Sequence, residues 1–285
     1  MLFTLEKIRF LISDRLGTSK QNRPFYVFIH IPKCAGSTIN FHLENRYRSR
    51  SLHTPTTATP ILTGLSSMPW VSREWIDAYI LRLSEARRNS IRIIFGHNAY
   101  FGIHKYFRGN PIYFTFLRDP VDRLVSHYNW GFTDQAKIEK VWGVCKQNGE
   151  VVPFCEWVEE NGRAKNLMVK CLSMAYTGEP SPGDWGRIAT ESDLHNAKRM
   201  LESCYFIGFT EREKDFYYVF KRLGIKRYLG NRNVSFKHFV PDEESKRLVL
   251  SHNLLDLELY NYAIDLRKRW KESDDINYFT GNENS

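Results

Sequence analysis

The residues best suited to chemistry follow the first strongly apolar segment of the chain. Residues 25–31 (FYVFIHI) predict a buried strand that leads directly into residues 32–38 (PKCAGST) and then into a helical pattern. Small residues let the backbone approach an oxyanion closely, hydroxyls donate hydrogen bonds, and a helix N-terminus adds N–H groups and a positive dipole end. The loop is therefore a candidate anion cradle made of Lys33, Cys34, Ala35, Gly36, Ser37 and Thr38.

Of two other interpretations of this loop, its residues exclude one and leave the other open. A Walker A loop, G-x-x-x-x-G-K-[ST], places its lysine directly after the second glycine, whereas Lys33 lies three positions before Gly36. The loop is thus not a Walker A loop. An ordinary strand-to-helix turn, with Ser37 as a helix cap, would have the same composition.

A second strand-to-helix junction carries an arginine. Residues 112–117 (IYFTFL) predict a strand, Arg118 follows it, and the next residues suit a helix with Asp119 as N-cap and proline at its first position. Ser126 comes eight residues after Arg118, about two helical turns along, so the guanidinium and the hydroxyl can share one phosphate. A surface salt bridge is the alternative for Arg118, and pairing with Asp119 or Asp122 is the simplest interpretation of Arg123.

One histidine lies where a strand ends. His97 follows residues 91–95 (IRIIF), which predict a strand, so it lies at the sheet edge where ligands of open α/β sheets bind. The unperturbed pKa of histidine is near neutrality, which suits a general base. A histidine that only caps a strand end is the alternative. His30, inside the first strand, is interpreted as structural, and His104 and His127 are second-rank candidates.

The elements that must position these residues alternate along the chain. Short apolar runs predict strands at residues 25–31, 91–95, 112–117 and 205–209. Helical patterns occupy residues 36–47, 73–88, 120–130, 192–204, 211–223 and 242–270, the last of which suits two helices. Residues 51–69 and 176–186 are predicted loops. Strands that alternate with helices predict an α/β layered domain.

Composition limits the class of protein and of partner. The chain has 285 residues, and 42% are hydrophobic, which excludes a disordered chain and allows a sizeable core. We predict a single domain over residues 1–285, with a leader (1–24), a core (25–270) and a flexible tail (271–285). Lys plus Arg is 41 and Asp plus Glu is 32, so the formal net charge of +9 favours anionic partners.

The cysteines and the first residues bear on location. The chain has five cysteines and no C-x-x-C pair, so reduced thiols are expected rather than a zinc site or a disulfide framework. Residues 1–17 show helical spacing but are too charged for a membrane span, and they lack a secretory apolar region. A docked amphipathic helix is favoured over a membrane-surface anchor.

These motifs together resemble the PAPS-dependent sulfotransferases, where PAPS is 3′-phosphoadenosine 5′-phosphosulfate. The branch most similar contains the heparan sulfate 2-O- and 6-O-sulfotransferases and bacterial relatives. That family has a loop of the type h-x-K-x-[AG]-[GS]-[ST]-[ST], which matches residues 33–38, and a segment R-[DN]-P-x-x-R-x-x-S, which matches Arg118 and Ser126. A Gly-His segment matches His97, although Phe95 replaces the first histidine of the fuller family version. Weaker likeness at residues 206–223, 231–236 and 256–260 extends the resemblance over roughly residues 25–270.

The resemblance implies a P-loop-like three-layer fold, with a central, mostly parallel sheet flanked by helices, and transfer of a sulfuryl group from PAPS to a hydroxyl. The implied acceptor is a saccharide, which can be acidic, and the product of the donor is PAP. Residues 33–38 would hold the 5′-phosphosulfate, Arg118 and Ser126 the 3′-phosphate, and His97 would be the base. Lys33 would neutralise the leaving oxygen, and no metal would be required.

Competing functions remain at this point. A kinase-like P-loop phosphotransferase would need a Walker A loop and a magnesium-binding aspartate. A non-catalytic module that binds acidic glycans or nucleotides fits the charge, with Trp130, Trp142, Trp157 and Trp185 as stacking surfaces. No nucleic-acid-binding motif stands out. Golgi members of the family carry a membrane anchor, so a cytoplasmic, bacterial-type enzyme is expected, and a lumenal one only if an anchor was removed.

Overall fold

One parallel sheet organises the part of the chain that the computed structural model describes: residues 23–54, 72–133, 144–145, 149–162, 164–178, 186–230 and 239–272. Its five strands lie in the order β2-β3-β1-β4-β5, and all neighbours are parallel. The strands are β1 (Pro24–Ile29), β2 (Ser51–His53), β3 (Ile93–Gly96), β4 (Asn110–Leu117) and β5 (Phe206–Phe209).

Helices connect the strands and cover the sheet. Those in the described ranges are α1 (Gly36–Tyr47), α2 (Arg73–Arg82), α3 (Glu85–Ser90), α4 (Pro120–Trp130), α5 (Phe154–Glu160), α6 (Leu167–Thr177), α7 (Glu191–Ser203), α8 (Glu213–Arg222), α9 (Glu243–His252) and α10 (Leu254–Glu272). Within these ranges, no helix is both long enough and apolar enough to cross a membrane.

The side chains of the central strand alternate between two apolar layers. Val27 and Ile29 pack into a cluster with residues of α2, α6, α7 and α10. Phe28 packs on the opposite face, with residues of α1 and α8. A third cluster joins α4, α5 and α9. These layers confirm the predicted α/β fold, with a parallel sheet between helices.

Several elements differ from the sequence prediction: α5 and α6 were not predicted, and the ends of several strands and helices lie one or two residues from the predicted ones. The predicted loop at residues 51–69 begins with an edge strand, β2, whose Leu52 pairs with Ile94 of β3. The predicted helix at residues 73–88 is divided into α2 and α3, because Leu83 is extended and Ser84 starts a new helix by accepting a hydrogen bond from the N–H of Arg87. The predicted leader helix at residues 1–17 lies outside the described residues, as does the tail from residue 273 onward.

The connections that leave the two central strands run in opposite directions. From β1 the chain passes through α1 to β2 at one edge of the sheet, whereas from β4 it continues to β5 at the other edge. Ligands of open α/β sheets bind at such a divergence, beyond the carboxyl ends of the strands. Both of the predicted anion-binding segments begin at this place.

Candidate active site

The loop between β1 and α1 presents backbone N–H groups rather than a side-chain cap. Lys33 and Ala35 have positive φ angles of 66° and 59°, which turn the chain sharply between strand and helix. Ala35 occupies the N-cap position of α1, and its methyl group cannot accept a hydrogen bond. The positive end of the α1 dipole is thus available to an anion, which would take the place of a cap.

Gly36 lets this loop pack tightly on the end of β1. The ring of His30 lies so close that a Cβ atom at position 36 would overlap it. Any larger residue would therefore push the loop away from the strand or displace the ring. The glycine that sequence reasoning assigned to anion approach thus has a second, steric role.

Lys33 and Cys34 have environments that change their acid–base behaviour. Burial first, and then the positive charge of Arg118, lower the pKa of Lys33 to about 7. The Lys33 ammonium lies 5.1 Å from the centroid of the Trp130 ring, a cation–π contact. Burial raises the pKa of the Cys34 thiol to about 12, so Cys34 stays neutral and shapes the loop through its backbone, which donates to Ile31.

Arg118 reaches from the end of β4 to the loop. Its Nη1 donates a hydrogen bond to the carbonyl oxygen of Lys33 over 3.3 Å, so the structure brings these two predicted cofactor residues together. Its Nε is buried and has no hydrogen-bond partner among the described residues. A buried donor of this kind favours an added acceptor, and a phosphate oxygen satisfies it well. Ser126 is half-buried in α4, which starts directly after this strand.

The N-terminus of α4 is already occupied by a carboxylate. Asp119 accepts hydrogen bonds from the N–H groups of Val121 (2.9 Å) and Asp122 (3.2 Å), which confirms it as the N-cap. The backbone N–H of Asp119 itself donates to Glu211. The helix end at this junction is therefore not available to an anion, and the cation that this junction offers is the side chain of Arg118.

Arg123 points inward, and its predicted pairing with Asp119 or Asp122 is wrong. Its Nε lies 3.7 Å from Oδ2 of Asp256, and both side chains are fully buried. Its Nη2 also donates to the carbonyl oxygen of Ala164 over 2.6 Å. The guanidinium lies beneath α4 rather than along its surface, where it ties this helix to α10 and to the chain before α6.

His97 is held in one tautomer by the strand beside it. It follows Gly96, whose φ of +131° favours glycine, at the end of β3. Its Nδ1 lies 2.9 Å from the carbonyl oxygen of His30, which can only accept, so Nδ1 carries the proton and Nε2 the lone pair. Burial lowers the pKa of His97 to about 4, and the ring therefore stays neutral at physiological pH.

An open pocket lies beside His97. Arg73 contributes a guanidinium that lies 4.7 Å from the ring centroid of Tyr100 and near Asp77. The full lining is Arg73, Ile76, His97, Asn98, Ala99, Tyr100, Cys171, Met174, Ala175 and Gly178. A cation, hydrogen-bonding groups and an apolar wall together suit a polar molecule with an apolar face, such as a sugar.

His97, which the sequence predicts as the base, lines this pocket, but the sequence analysis missed the residues packed around it. Asn40 donates to Nδ1 of His30 over 3.3 Å, and the helical spacing after Gly36 is the one signal that places it near the loop. The second-rank candidates do not line the pocket: His104 contacts the Tyr113 hydroxyl, and His127 is buried. In the described ranges, no group of three or more His, Cys, Asp or Glu is placed to hold a metal ion.

Comparison with known proteins gives a family for this arrangement. A model of the sulfotransferase family matches residues 21–263, which includes every strand of the sheet. Heparan-sulfate 6-O-sulfotransferase 1 of Homo sapiens is 26% identical over 182 residues, which cover 54% of this chain and 43% of that protein. Heparan-sulfate 6-O-sulfotransferase 2 of Gallus gallus is 23% identical over 285 residues, covering 84% and 66%.

A third relative, from an insect, has a similar identity and is also named as a sulfotransferase. Heparin sulfate O-sulfotransferase of Drosophila melanogaster is 28% identical over 191 residues, which cover 64% of this chain and 50% of that protein. The chain thus spans between about two fifths and two thirds of the length of these relatives. Because the family model covers most of the chain, this protein belongs to the sulfotransferase family, close to its heparan sulfate O-sulfotransferase branch.

Proposed function

We propose that this protein transfers the sulfuryl group of PAPS to a hydroxyl of a saccharide, with His97 as general base. The observation that carries the proposal is the convergence of three groups at one edge of the sheet. The N-terminus of α1, which has no side-chain cap, and Lys33 follow β1. Arg118 follows β4 and reaches the carbonyl oxygen of Lys33. His97, whose Nε2 carries the lone pair, follows β3.

The donor side fits a molecule with several phosphate or sulfate groups. The first N–H groups of α1, with Ser37 and Thr38, would bind the 5′-phosphate. The unsatisfied Nε of Arg118, together with the Ser126 hydroxyl, would bind the 3′-phosphate. Lys33 would stay near the bridging oxygen, where its ammonium offsets the charge left when the donor loses its sulfuryl group.

The acceptor side needs a group that removes one proton. Nε2 of His97 would take the proton of the acceptor hydroxyl while the oxygen forms its bond to sulfur and the bond from sulfur to the bridging oxygen breaks. Nδ1–H of His97 keeps its hydrogen bond to the His30 carbonyl, which stabilises the imidazolium formed. The low pKa of His97 before substrate binds ensures that the ring is unprotonated when the acceptor arrives.

A saccharide acceptor is supported by the pocket and by the relatives. The pocket beside His97 combines apolar residues with Arg73, Asn98 and Tyr100. A sugar offers an apolar ring face and hydroxyls to such a lining, and Arg73 would favour one with a carboxylate or sulfate. The relatives are named for heparan sulfate or heparin, which are saccharides.

A transfer assay with sulfur-labelled PAPS tests the proposal. The purified protein is incubated with a panel of acceptors: acidic and neutral oligosaccharides, a tyrosine peptide and small alcohols. We expect label on a saccharide, and a loss of about 10²–10⁴-fold in kcat for His97→Ala with little change in PAP affinity. His195→Ala, at an exposed position on α7, is the matched control and keeps its activity.

Binding experiments separate the competing functions. PAP should raise the melting temperature of the wild type, because a ligand that binds the native state stabilises it. A protein that binds acidic glycans but neither PAP nor PAPS would be a binding module. Magnesium-dependent ATP turnover without sulfate transfer would identify a kinase-like enzyme. Full activity of His97→Ala would remove His97 as the base.

A further inference from the structure

His30 lies between the donor loop and the proposed base, and its ring contacts both. The ring stacks on His97 with 3.9 Å between the ring centroids and 27° between the planes. The same ring packs against Gly36, at the start of α1. Because His30 is only 7% exposed, it acts on the reaction through these neighbours rather than on a substrate.

Hydrogen bonds fix His30 on three sides. Its Nδ1 accepts a hydrogen bond from Nδ2 of Asn40 over 3.3 Å. Its backbone N–H donates to the carbonyl oxygen of Gly96 over 3.3 Å, and its own carbonyl oxygen accepts from Nδ1 of His97. The residue therefore joins β1, α1 and the turn that carries His97, and it cannot move without moving one of them.

We infer that His30 is a positioning residue: its ring and carbonyl hold His97 with Nδ1 protonated and Nε2 toward the acceptor, and they link this orientation to the donor loop. The inference rests on the proposed function, since it takes His97 to be the base. A positioned imidazole loses much of its catalytic effect when its ring tilts, because proton transfer depends on alignment with the acceptor hydroxyl.

The environment of His97 makes this role measurable by pH. The titratable groups near His97 or near the His30 ring stacked on it are His53 of β2, Lys33 of the donor loop, and Arg73, Tyr100 and Cys171 of the pocket. Burial lowers the pKa of both stacked rings, and the charge of His97 lowers that of His30 further. For His97, the backbone hydrogen bond to His30 raises the pKa and the charge of His53 lowers it. Removal of the His30 ring would let water reach His97, and the pKa of His97 would rise toward 6.5.

Two substitutions at position 30 distinguish the effect of the stacked ring from the effect of the hydrogen-bond acceptor Nδ1. His30→Asn keeps an acceptor for Asn40 but removes the stacking ring. We expect it to lower kcat by about 10–100-fold and to move the acid limb of kcat/KM up by about one pH unit or more, with PAP affinity changed less than about threefold. His30→Phe keeps a flat ring against His97, so its acid limb should move by less than about half a unit.

A control uses a histidine outside the site. His195 is exposed on α7, and His195→Phe should leave the pH profile of the wild type unchanged. Nitrogen-15 NMR of the histidine-labelled wild type gives a measurement that does not depend on any variant at position 30. The signal of His97, identified by its loss in His97→Ala, should report a proton on Nδ1.

The outcomes distinguish this inference from the proposed function. Wild-type kcat and pH profile in His30→Asn would overturn the role of His30, and so would a proton on Nε2 of His97. If His97→Ala is inactive in the same experiment, the proposed function stands although His30 has no positioning role. Full activity of His97→Ala would instead overturn the proposed function itself.

Discussion

The two junctions at the centre of the sheet share one order of strand, loop and helix, but only one of the two helices has a side-chain cap at its N-terminus. At the β1–α1 junction, Ala35 provides no side-chain cap, and the backbone at Lys33 and Ala35 is left-handed. At the β4–α4 junction, Asp119 caps the helix with two hydrogen bonds, and Pro120 takes the first helical position.

Under the proposed function, this difference indicates that the two junctions bind the donor by different means. A left-handed non-glycine residue and an uncapped helix each cost about 1 kcal/mol, so the first junction gives up stability to expose its backbone N–H groups. The second junction is stable by itself and contributes only the side chain of Arg118, which reaches the Lys33 carbonyl. One junction would bind through backbone and helix dipole, the other through a guanidinium.

Among changes at the two junctions, the largest effect is expected at the first, from Lys33→Ala. This change removes the ammonium that offsets charge on the leaving oxygen, and loss of one such group costs about 10²–10³-fold in kcat. The measurement is single-turnover transfer of labelled sulfate, with PAP affinity determined in parallel. We expect kcat to fall much more than PAP affinity, because the backbone of the loop remains.

The control for this variant is Lys268→Ala, which removes an exposed lysine of α10 and should retain full activity. Lys33→Ala with a kcat within about threefold of the wild type would show that the first junction binds the donor without acting on the leaving group.

The second junction is tested by Arg118→Ala. Loss of a charge-assisted hydrogen bond costs about 1.5–3 kcal/mol, so PAP affinity should fall by about 10–100-fold in calorimetry. kcat at saturating donor should change less, since Arg118 lies away from the reacting atoms in the proposed arrangement. Arg118→Lys should recover only part of the affinity, because an ammonium cannot replace the buried Nε donor. Unchanged PAP affinity in Arg118→Ala would remove this junction from the donor site.

The two cations differ in how they respond to pH. The pKa of Lys33 is about 7 before the donor binds, whereas a guanidinium stays charged throughout this range. A bound polyanion favours the charged ammonium, so binding above pH 7 takes up a proton and the PAP dissociation constant should rise with pH. If binding raises the pKa of Lys33 by about one unit, linkage gives an increase of about threefold from pH 7 to pH 8, measurable by calorimetry in two buffers. Lys33→Arg should abolish the increase. A wild-type PAP dissociation constant that does not change with pH would contradict the prediction.

Sequence patterns predicted the main elements because those elements carry their own local signals. Gly36–Tyr47 and Pro120–Trp130 begin and end where the sequence analysis placed them, since a glycine-containing loop or a proline marks each start. Strand β2 was missed because it has three residues and only Leu52 is buried, too short a pattern for periodicity to detect. The strands of the centre, in contrast, are continuous apolar runs.

The contacts within the site could be predicted only in part. Residue types placed Lys33, Arg118 and His97 at one sheet edge, because parallel strands all end on the same side. The stacking of His30 on His97 and the inward turn of Arg123 to Asp256 depend on side chains far apart in sequence. Such contacts are set by tertiary packing, which leaves no mark in the spacing of a single chain.

The smallest effect is expected from loss of the α4 cap, a change that separates stability from donor binding at the second junction. Asp119→Ala removes the cap of α4, which should lower the free energy of unfolding by about 1 kcal/mol in a denaturant titration. PAP affinity should stay within about twofold or increase slightly, since a negative charge near Arg118 is lost. Asp119→Asn, which keeps an oxygen acceptor, should retain most of the stability. A fall in PAP affinity as large as that of Arg118→Ala would mean that the start of α4 takes part in binding, and the division of roles between the two junctions would be wrong.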